Sequence, residues 1–189
     1  MKTGFIRKLF KRVPELEGER VFLRRLRVAD ASDMYDYARR ESVTRYLLWS
    51  PHPDPDYTRR YLSYVQGRYR DGEFYDWAII DKVSGKMIGT CGFPLISEAN
   101  RSAEVGYVLN PDFWGKGYAT EVLLLLLSFA FKTMRLHRIE ARCFDEHVAS
   151  RRVMEKCGMR YEGSFRDALL VKGQYVTVAV YSILEPKRT

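Results

Sequence analysis

The sequence holds little that could cross-link it or bind a metal: three cysteines, Cys91, Cys143 and Cys157, and three histidines, His52, His137 and His147, in 189 residues. The cysteines are odd in number, and neither residue type recurs at disulfide-framework or metal-ligand spacing. Neither a stapled secreted domain nor a metal site is expected. A chain of this length buries roughly 70% of the surface its unfolded form exposes, enough to fold without staples. Long apolar runs are missing too. The longest, Val122 to Phe131, is interrupted by Ser128 and falls short of the roughly 20 residues that cross a bilayer, so it predicts a buried helix and no membrane span. No signal-peptide pattern precedes the first acid, Glu15, and the expectation is a reduced, cytoplasmic protein. Repeats, low-complexity segments and interdomain linkers are also absent, which leaves one domain.

Acidic residues are absent from the first 13 positions, which carry Lys2, Arg7, Lys8, Lys11 and Arg12. That segment supplies +5 of the formal net charge of +8, and the rest of the chain sets 27 bases against 24 acids. The body is therefore too mildly basic to read as a nucleic-acid binder. Residues 1–13 are expected to be a solvated, frayed basic tail before a domain at 14–189. Phe5, Ile6, Leu9 and Phe10 at helical spacing leave open a short helix lying on a membrane surface or on RNA.

What is present reads as an alternation of periods. "ERVFLRRLRVADASDMYDYARR" gives a strand and then a helix with Asp30 as N-cap and Met34, Tyr35 and Ala38 on one face. A short helix, a loop broken by Pro51, Pro53 and Pro55, and a second helix using Tyr61, Leu62, Val65 and Tyr69 follow. "EFYDWAIID", "KMIGTCGFPLIS" and "SAEVGYVLN" are β-rich runs joined by turn chemistry, the pattern of an antiparallel meander. A helix over about 117–133, the strand "RIEARCFD", a helix closed by Gly158, and two last strands complete the chain. The order predicts one mixed α/β sheet flanked by helices.

Between the meander and the long helix stands "NPDFWGKGYAT". A strand, G-x-G and a helix start form a general anion-binding device, because glycines admit close approach and the unpaired amides of the helix N-terminus point at the anion. A triphosphate P-loop is set aside, since the lysine falls between the glycines. A dinucleotide fold needs repeated parallel units, which this topology lacks. On pattern alone, a glycine-eased turn with no ligand stays open.

"AEVGYVLNPDFWGKGYATEVL" followed by "HVASRRVMEKCGMRYEG" resembles the GNAT superfamily of acyl-CoA-dependent N-acetyltransferases. More narrowly it is similar to the Rim-type branch that includes ribosomal-protein N-terminal acetyltransferases, over about residues 14 to 184. The resemblance implies a single domain with a central, mostly antiparallel sheet whose parallel central strands splay apart around the acyl arm of acetyl-CoA. The family's [Q/R]-x-x-G-x-[G/A] signature, which wraps the pyrophosphate, falls on Trp114, Gly115, Lys116, Gly117, Tyr118 and Ala119, with Thr120 next in the helix. Trp114 stands where the family has Gln or Arg. Tyr107, Val108 and Leu109 would lie against the acyl-pantetheine arm, with a backbone amide near Tyr107 or Val108 polarising the thioester carbonyl. Gly106 would allow a bulge where the strands part.

Acetyl transfer needs a neutral amine, although a free alkylammonium has a pKa near 10, so a base or water relay must take its proton. By the resemblance, Glu104 is the candidate base, acting through water, and Ser150 contacts the coenzyme or protonates the departing thiolate. Read from the residues alone, Glu104 is equally a strand glutamate in an ion pair, and Ser150 a helix-start hydroxyl. His147 replaces a family asparagine near the coenzyme, and Met154 stands where some relatives have a tyrosine acid. Cys143 is expected to pack as a small hydrophobe and not to act as a nucleophile.

The resemblance also implies an acceptor pocket from the early helices and the terminal hairpin: Tyr46, Trp49, the loop carrying Asp54 and Asp56, and residues 161–167. The aspartates would meet a cationic amine. The expected acceptor is a protein or peptide N-terminal α-amine. The alternatives are a small polycationic amine, such as a polyamine or aminoglycoside, and a non-catalytic acyl-CoA-binding sensor. A weak ribosome or RNA contact through the basic tail and either a monomer or a homodimer fit this reading.

Overall fold

The computed structural model describes residues 4–186; Lys2 of the expected tail and the last three residues of the chain lie outside them. The elements follow as α1 (Phe5–Phe10), β1 (Leu16–Glu17), β2 (Val21–Arg24), α2 (Ala31–Ala38), α3 (Glu41–Thr44), α4 (Pro55–Asp71), β3 (Asp76–Asp81), β4 (Met87–Ser97), β5 (Ser102–Leu109), α5 (Tyr118–Lys132), β6 (Arg138–Phe144), α6 (Val148–Lys156), β7 (Arg160–Val171) and β8 (Gln174–Leu184). All eight strands form one sheet in the order β1-β2-β3-β4-β5-β6-β8-β7. Every neighbouring pair is antiparallel except β5–β6, the mixed architecture the element order predicts.

Strand parity sorts the side chains into two cores. Trp77 and Ile79 of β3 face α5, whose Val122, Leu123, Leu126, Leu127, Phe129 and Ala130 are buried against that side of the sheet. Ala78 and Ile80 face α2 and α4 on the other side, meeting Met34, Tyr37, Leu62, Val65 and Tyr69. The sheet is thus a middle layer with helices on both faces, the arrangement that lets a strand such as β3 read as a continuous apolar run.

Two expectations are corrected here. Residues 4–13 are not frayed: α1 turns Ile6 and Phe10 inward, where they are 1% and 0% exposed. The Phe10 ring packs edge-on to Tyr75, Trp77 and Phe129. Arg7 is tied to Glu73 (2.9 Å) and to the Asp71 carbonyl (2.8 Å). Residues 4–13 therefore share a core with the rest of the chain, because two apolar residues four apart define one helical face whatever the charge around them. Phe10→Ala is expected to cost about 3–5 kcal/mol of stability; a loss below about 1 kcal/mol by urea denaturation would mean that α1 contributes little to the core.

The second correction concerns the bulge. The register between β4 and β5 slips between Gly92↔Gly106 and Leu95↔Glu104, so the extra residue belongs to β4, around Phe93 and Pro94. Proline has no amide to give a ladder and settles where the pairing is already interrupted. Gly106 lies beside that irregularity, not within it.

The feature that positions the site is the short β5–β6 pairing. It runs from Ser102↔Arg138 to Val105↔Ala141 and ends there. Beyond it, β5 continues on β4 as far as Leu109, and β6 continues on β8 as far as Phe144. The sheet opens into a V whose arms are Gly106–Leu109 and Arg142–Phe144.

Candidate active site

The β5–α5 loop is built around Asn110 and Arg20. Asn110 is buried, bonds the Ile88 carbonyl through its own amide (2.7 Å), and caps the short 3-10 turn Pro111–Phe113 by accepting from the Asp112 amide (3.1 Å). Trp114 Nε1 donates to the Leu109 carbonyl (2.8 Å), folding the indole back along β5. Arg20 holds the loop from below: its Nη1 donates to the Lys116 carbonyl (2.7 Å), and its Nε to Glu121 Oε2 (2.9 Å) in the first turn of α5. Glu121 Oε1 also accepts from the Arg20 amide (2.8 Å), an acid at a helix N-terminus that favours its own ionised form.

Gly115 and Gly117 take φ of 71° and 84°, the left-handed region that suits glycine. Gly117 is the N-cap of α5 and offers no side chain to the helix. The first amides of α5 therefore have no capping group, and Gly117, Tyr118, Ala119 and Thr120 line a cleft of about 680 Å³. Gly115 borders the same cleft, and a Cβ added there would meet nothing within 4 Å.

Tyr107, Val108 and Leu109 form the β5 side of the cleft, and His147, Ser150, Arg152 and Lys156 the α6 side. Arg45 and Tyr46 also line it, the Tyr46 ring stacked on His147. Three bases, Arg45, Arg152 and Lys156, face it against one acid, Glu146. An uncapped helix start, two left-handed glycines and a surplus of positive charge fit a polyphosphate-bearing ligand in size and sign.

Within the V, Tyr107 Oη and Ser150 Oγ lie 3.1 Å apart. Burial pushes the Tyr107 phenol up, and the Ser150 hydroxyl opposes the shift. Burial also pushes the Cys143 thiol up to about 11, which keeps it protonated at neutral pH. His147 stacks on Tyr46 with ring centroids 4.3 Å apart, and burial lowers its pKa, favouring the neutral ring.

Glu104 does not line the cleft. It lies on the α4 face of β5, one residue before the last β5–β6 pair and opposite Glu140. Burial is the largest influence on its carboxyl and raises its pKa; Arg142, 3.4 Å away, opposes that, and Glu140 adds to it.

Several expected residues are placed elsewhere. Lys116 donates its Nζ to the Asp112 carbonyl (2.8 Å) and does not line the cleft. Asp54 is the N-cap of α4, accepting from the Tyr57 amide (2.6 Å). Asp56 pairs with Arg59 one turn on and is 71% exposed. Trp49 packs beside His52 at the edge of the α4 core. These aspartates answer the needs of a helix start in a proline-broken loop, which is why their charge misled as an acceptor signal. Of the expected acceptor residues only Tyr46 reaches the cleft, on the α6 side. The cleft bases Arg45, Arg152 and Lys156 were missed; for the last two, spacing four apart on one face of α6 is a signal the sequence carries.

The model of the acetyltransferase (GNAT) domain matches residues 20–160. An uncharacterised N-acetyltransferase, p20 of Bacillus licheniformis, is 32% identical over 88% of this chain and 94% of its own length. The crystal structure of a GNAT-family acetyltransferase from Bacillus anthracis superposes with a TM-score of 0.82 at 29% identity, covering 91% of this chain and 99% of that one. RimL, a ribosomal L7/L12 alpha-N-protein acetyltransferase solved with coenzyme A, shares the fold at a TM-score of 0.79 and 20% identity, over 90% and 98% of the two chains.

Proposed function

The chain belongs to the GNAT family of acetyltransferases, and from that membership we propose that it moves the acetyl group of acetyl-CoA to the α-amine of a protein or peptide, with Glu104 as the base. The observation that carries the reading is the uncapped start of α5, flanked by Gly115 and Gly117 and opening beside the parted strands. The α5 amides and Arg45, Arg152 and Lys156 would hold the phosphates of coenzyme A. Acetyl-CoA, when bound, supplies a thioester activated toward amines.

The chain's own residues divide the remaining work. Glu104 takes the amine proton through water, a role favoured by the upward shift that burial gives its carboxyl. The Tyr107–Ser150 hydroxyl pair supplies a proton to the departing sulfur, from β5 and α6 and in place of the helix tyrosine that Met154 replaces. The α-amine reading is supported by the Rim-type sequence resemblance and by the fold shared with RimL. Polyamines remain the competing acceptor class, since a 27% identical relative from Vibrio cholerae is a spermidine N(1)-acetyltransferase. No helix among the described residues is long and apolar enough to cross a membrane.

Release of free thiol from acetyl-CoA, measured with an alanyl peptide, its N-acetylated form, spermidine and an aminoglycoside, tests the proposal. Turnover with the free peptide but not the blocked one is expected. Binding of acetyl-CoA with no thiol release from any amine would favour a non-catalytic acyl-CoA-binding module.

A further inference from the structure

Asp76, the first residue of β3, has no part in the site described above. Parity places its side chain with Ala78 and Ile80 on the α4 face, at the head of a strand whose next five residues are buried. Among the described residues, nothing offsets the burial of its carboxyl, which is pushed up to about 7. The titratable groups around it are Tyr61 and Tyr69 of α4 and Cys91 of β4, all neutral at that pH because burial raises each of them. Tyr69 Oη donates to the backbone carbonyl of Asp76 (2.7 Å), leaving the carboxylate unpaired. A nearby cation, Arg25, lies over the Tyr69 ring at 4.5 Å and makes no ion pair with Asp76.

The floor beside this carboxylate is made of glycine. Asp76 is paired with Gly92 of β4, and Gly92 with Gly106 of β5. A Cβ at Gly92 would lie 1.9 Å from Asp76 Oδ1, so the carboxylate leans over β4 toward β5. A Cβ at Gly106 would meet nothing closer than the Pro94 ring at 3.9 Å. Gly106 is also the first residue of β5 beyond its last pair with β6. With neighbouring strands about 4.8 Å apart, Oδ1 stands roughly one strand spacing from Gly106, on the β5 edge of the V. Glu104 lies on the same face, two residues before Gly106.

We propose that Asp76 receives the ammonium group of the acceptor amine and holds it over Gly106, at the β5 edge of the gap between β5 and β6, making it a positioning and specificity residue for cationic acceptors. The inference rests on the acetyltransferase reading. Asp76 itself is only partly buried, so its carboxylate can be reached, and a bound ammonium supplies the partner it lacks. In the transfer, one ammonium proton passes through water to Glu104, the nitrogen bonds the acetyl carbon, and the carbon–sulfur bond breaks. The sulfur gains a proton from the Tyr107–Ser150 pair, which recovers one from the new amide nitrogen, and Glu104 returns its proton to solvent.

Two measurements on the full chain test this assignment. In protein labelled with 13C at aspartate carboxyls, the Asp76 signal is identified by its loss in Asp76→Asn and followed with pH in the presence of coenzyme A. Spermidine or an alanyl tripeptide should lower its midpoint, while the N-acetylated tripeptide, which has lost its ammonium group, should not. No movement with either amine, or equal movement with the N-acetylated tripeptide, overturns the proposal. In steady-state kinetics, Asp76→Asn should raise the acceptor KM roughly ten- to a hundredfold and leave the acetyl-CoA KM in place. In the parent protein the acceptor KM is expected to fall as pH rises through about 7, and Asp76→Asn should abolish that fall. An unchanged acceptor KM counts against the assignment. If the parent protein binds amines at Asp76 but releases no thiol, the acetyltransferase reading fails and the assignment of Asp76 as an ammonium site stands.

Discussion

Replacing Glu104 by glutamine is expected to lower kcat roughly 10²- to 10⁴-fold, the range that a lost general base commonly costs. Acetyl-CoA affinity should hold, because Glu104 lies on the α4 face of β5 and outside the cleft that the glycine loop borders. The pH profile carries the finer test. A base acts in its ionised form, so kcat/KM should fall as pH drops through the Glu104 midpoint. Burial raises that midpoint and Arg142 partly restrains it, so the limb should lie above the usual glutamate range. Arg142→Gln removes the restraint and should carry the limb to higher pH, at a given pH lowering the ionised fraction. Glu104→Gln activity within threefold of the parent would take the base role away from this residue.

The second large effect is expected at Gly115. Its φ of 71° is a conformation that Asn and Asp tolerate better than other side chains, and open space surrounds its missing Cβ. Gly115→Asn and Gly115→Asp should therefore both fold, and they differ by one charge at the wall of the cleft. A negative charge a few ångströms from a pyrophosphate costs several kcal/mol at an effective dielectric of about 20, so the aspartate should weaken acetyl-CoA binding by on the order of a hundredfold or more. The asparagine should bind within about tenfold of the parent. Equal affinities for the two variants would place the phosphates elsewhere.

Much of this architecture is legible in the sequence because it obeys periodicity. The three β-rich runs before the glycine motif match β3, β4 and β5 to within a few residues, and the apolar run after it is α5. The terminal hairpin is marked by Lys172 and Gly173, both at positive φ in a two-residue turn. Asp30, read as a helix N-cap, sits at that position, but its carboxylate accepts from Arg24 (2.7 Å and 2.8 Å) and the Arg27 amide (2.8 Å) instead of capping α2. Local signals locate an element end; they do not say which long-range partner will claim the side chain.

What escaped the sequence depends on contacts between distant segments. Charge dominated the first 13 residues, although Ile6 and Phe10 carry the spacing of a buried face. Asp54 and Asp56 looked like free acids because a capping bond cannot be told from a solvated carboxylate without the helix start beside it. Asp76 went unnoticed in "EFYDWAIID" because one acid at a strand end is ordinary. Its signal is parity, since it shares the inward side with Ala78 and Ile80, a position where an acid needs a reason. The glycine row beside it becomes visible only once the register joins Gly92 to Gly106.

The measurement that bears most directly on this account is calorimetric titration of acetyl-CoA into the parent protein and into Gly115→Asp, with desulfo-CoA and NAD as comparators. Micromolar binding of acetyl-CoA and desulfo-CoA by the parent, none of NAD, and a large loss in the variant are the predicted results. No acetyl-CoA binding by the parent protein would contradict the account, because the uncapped start of α5 would then be only the end of a turn.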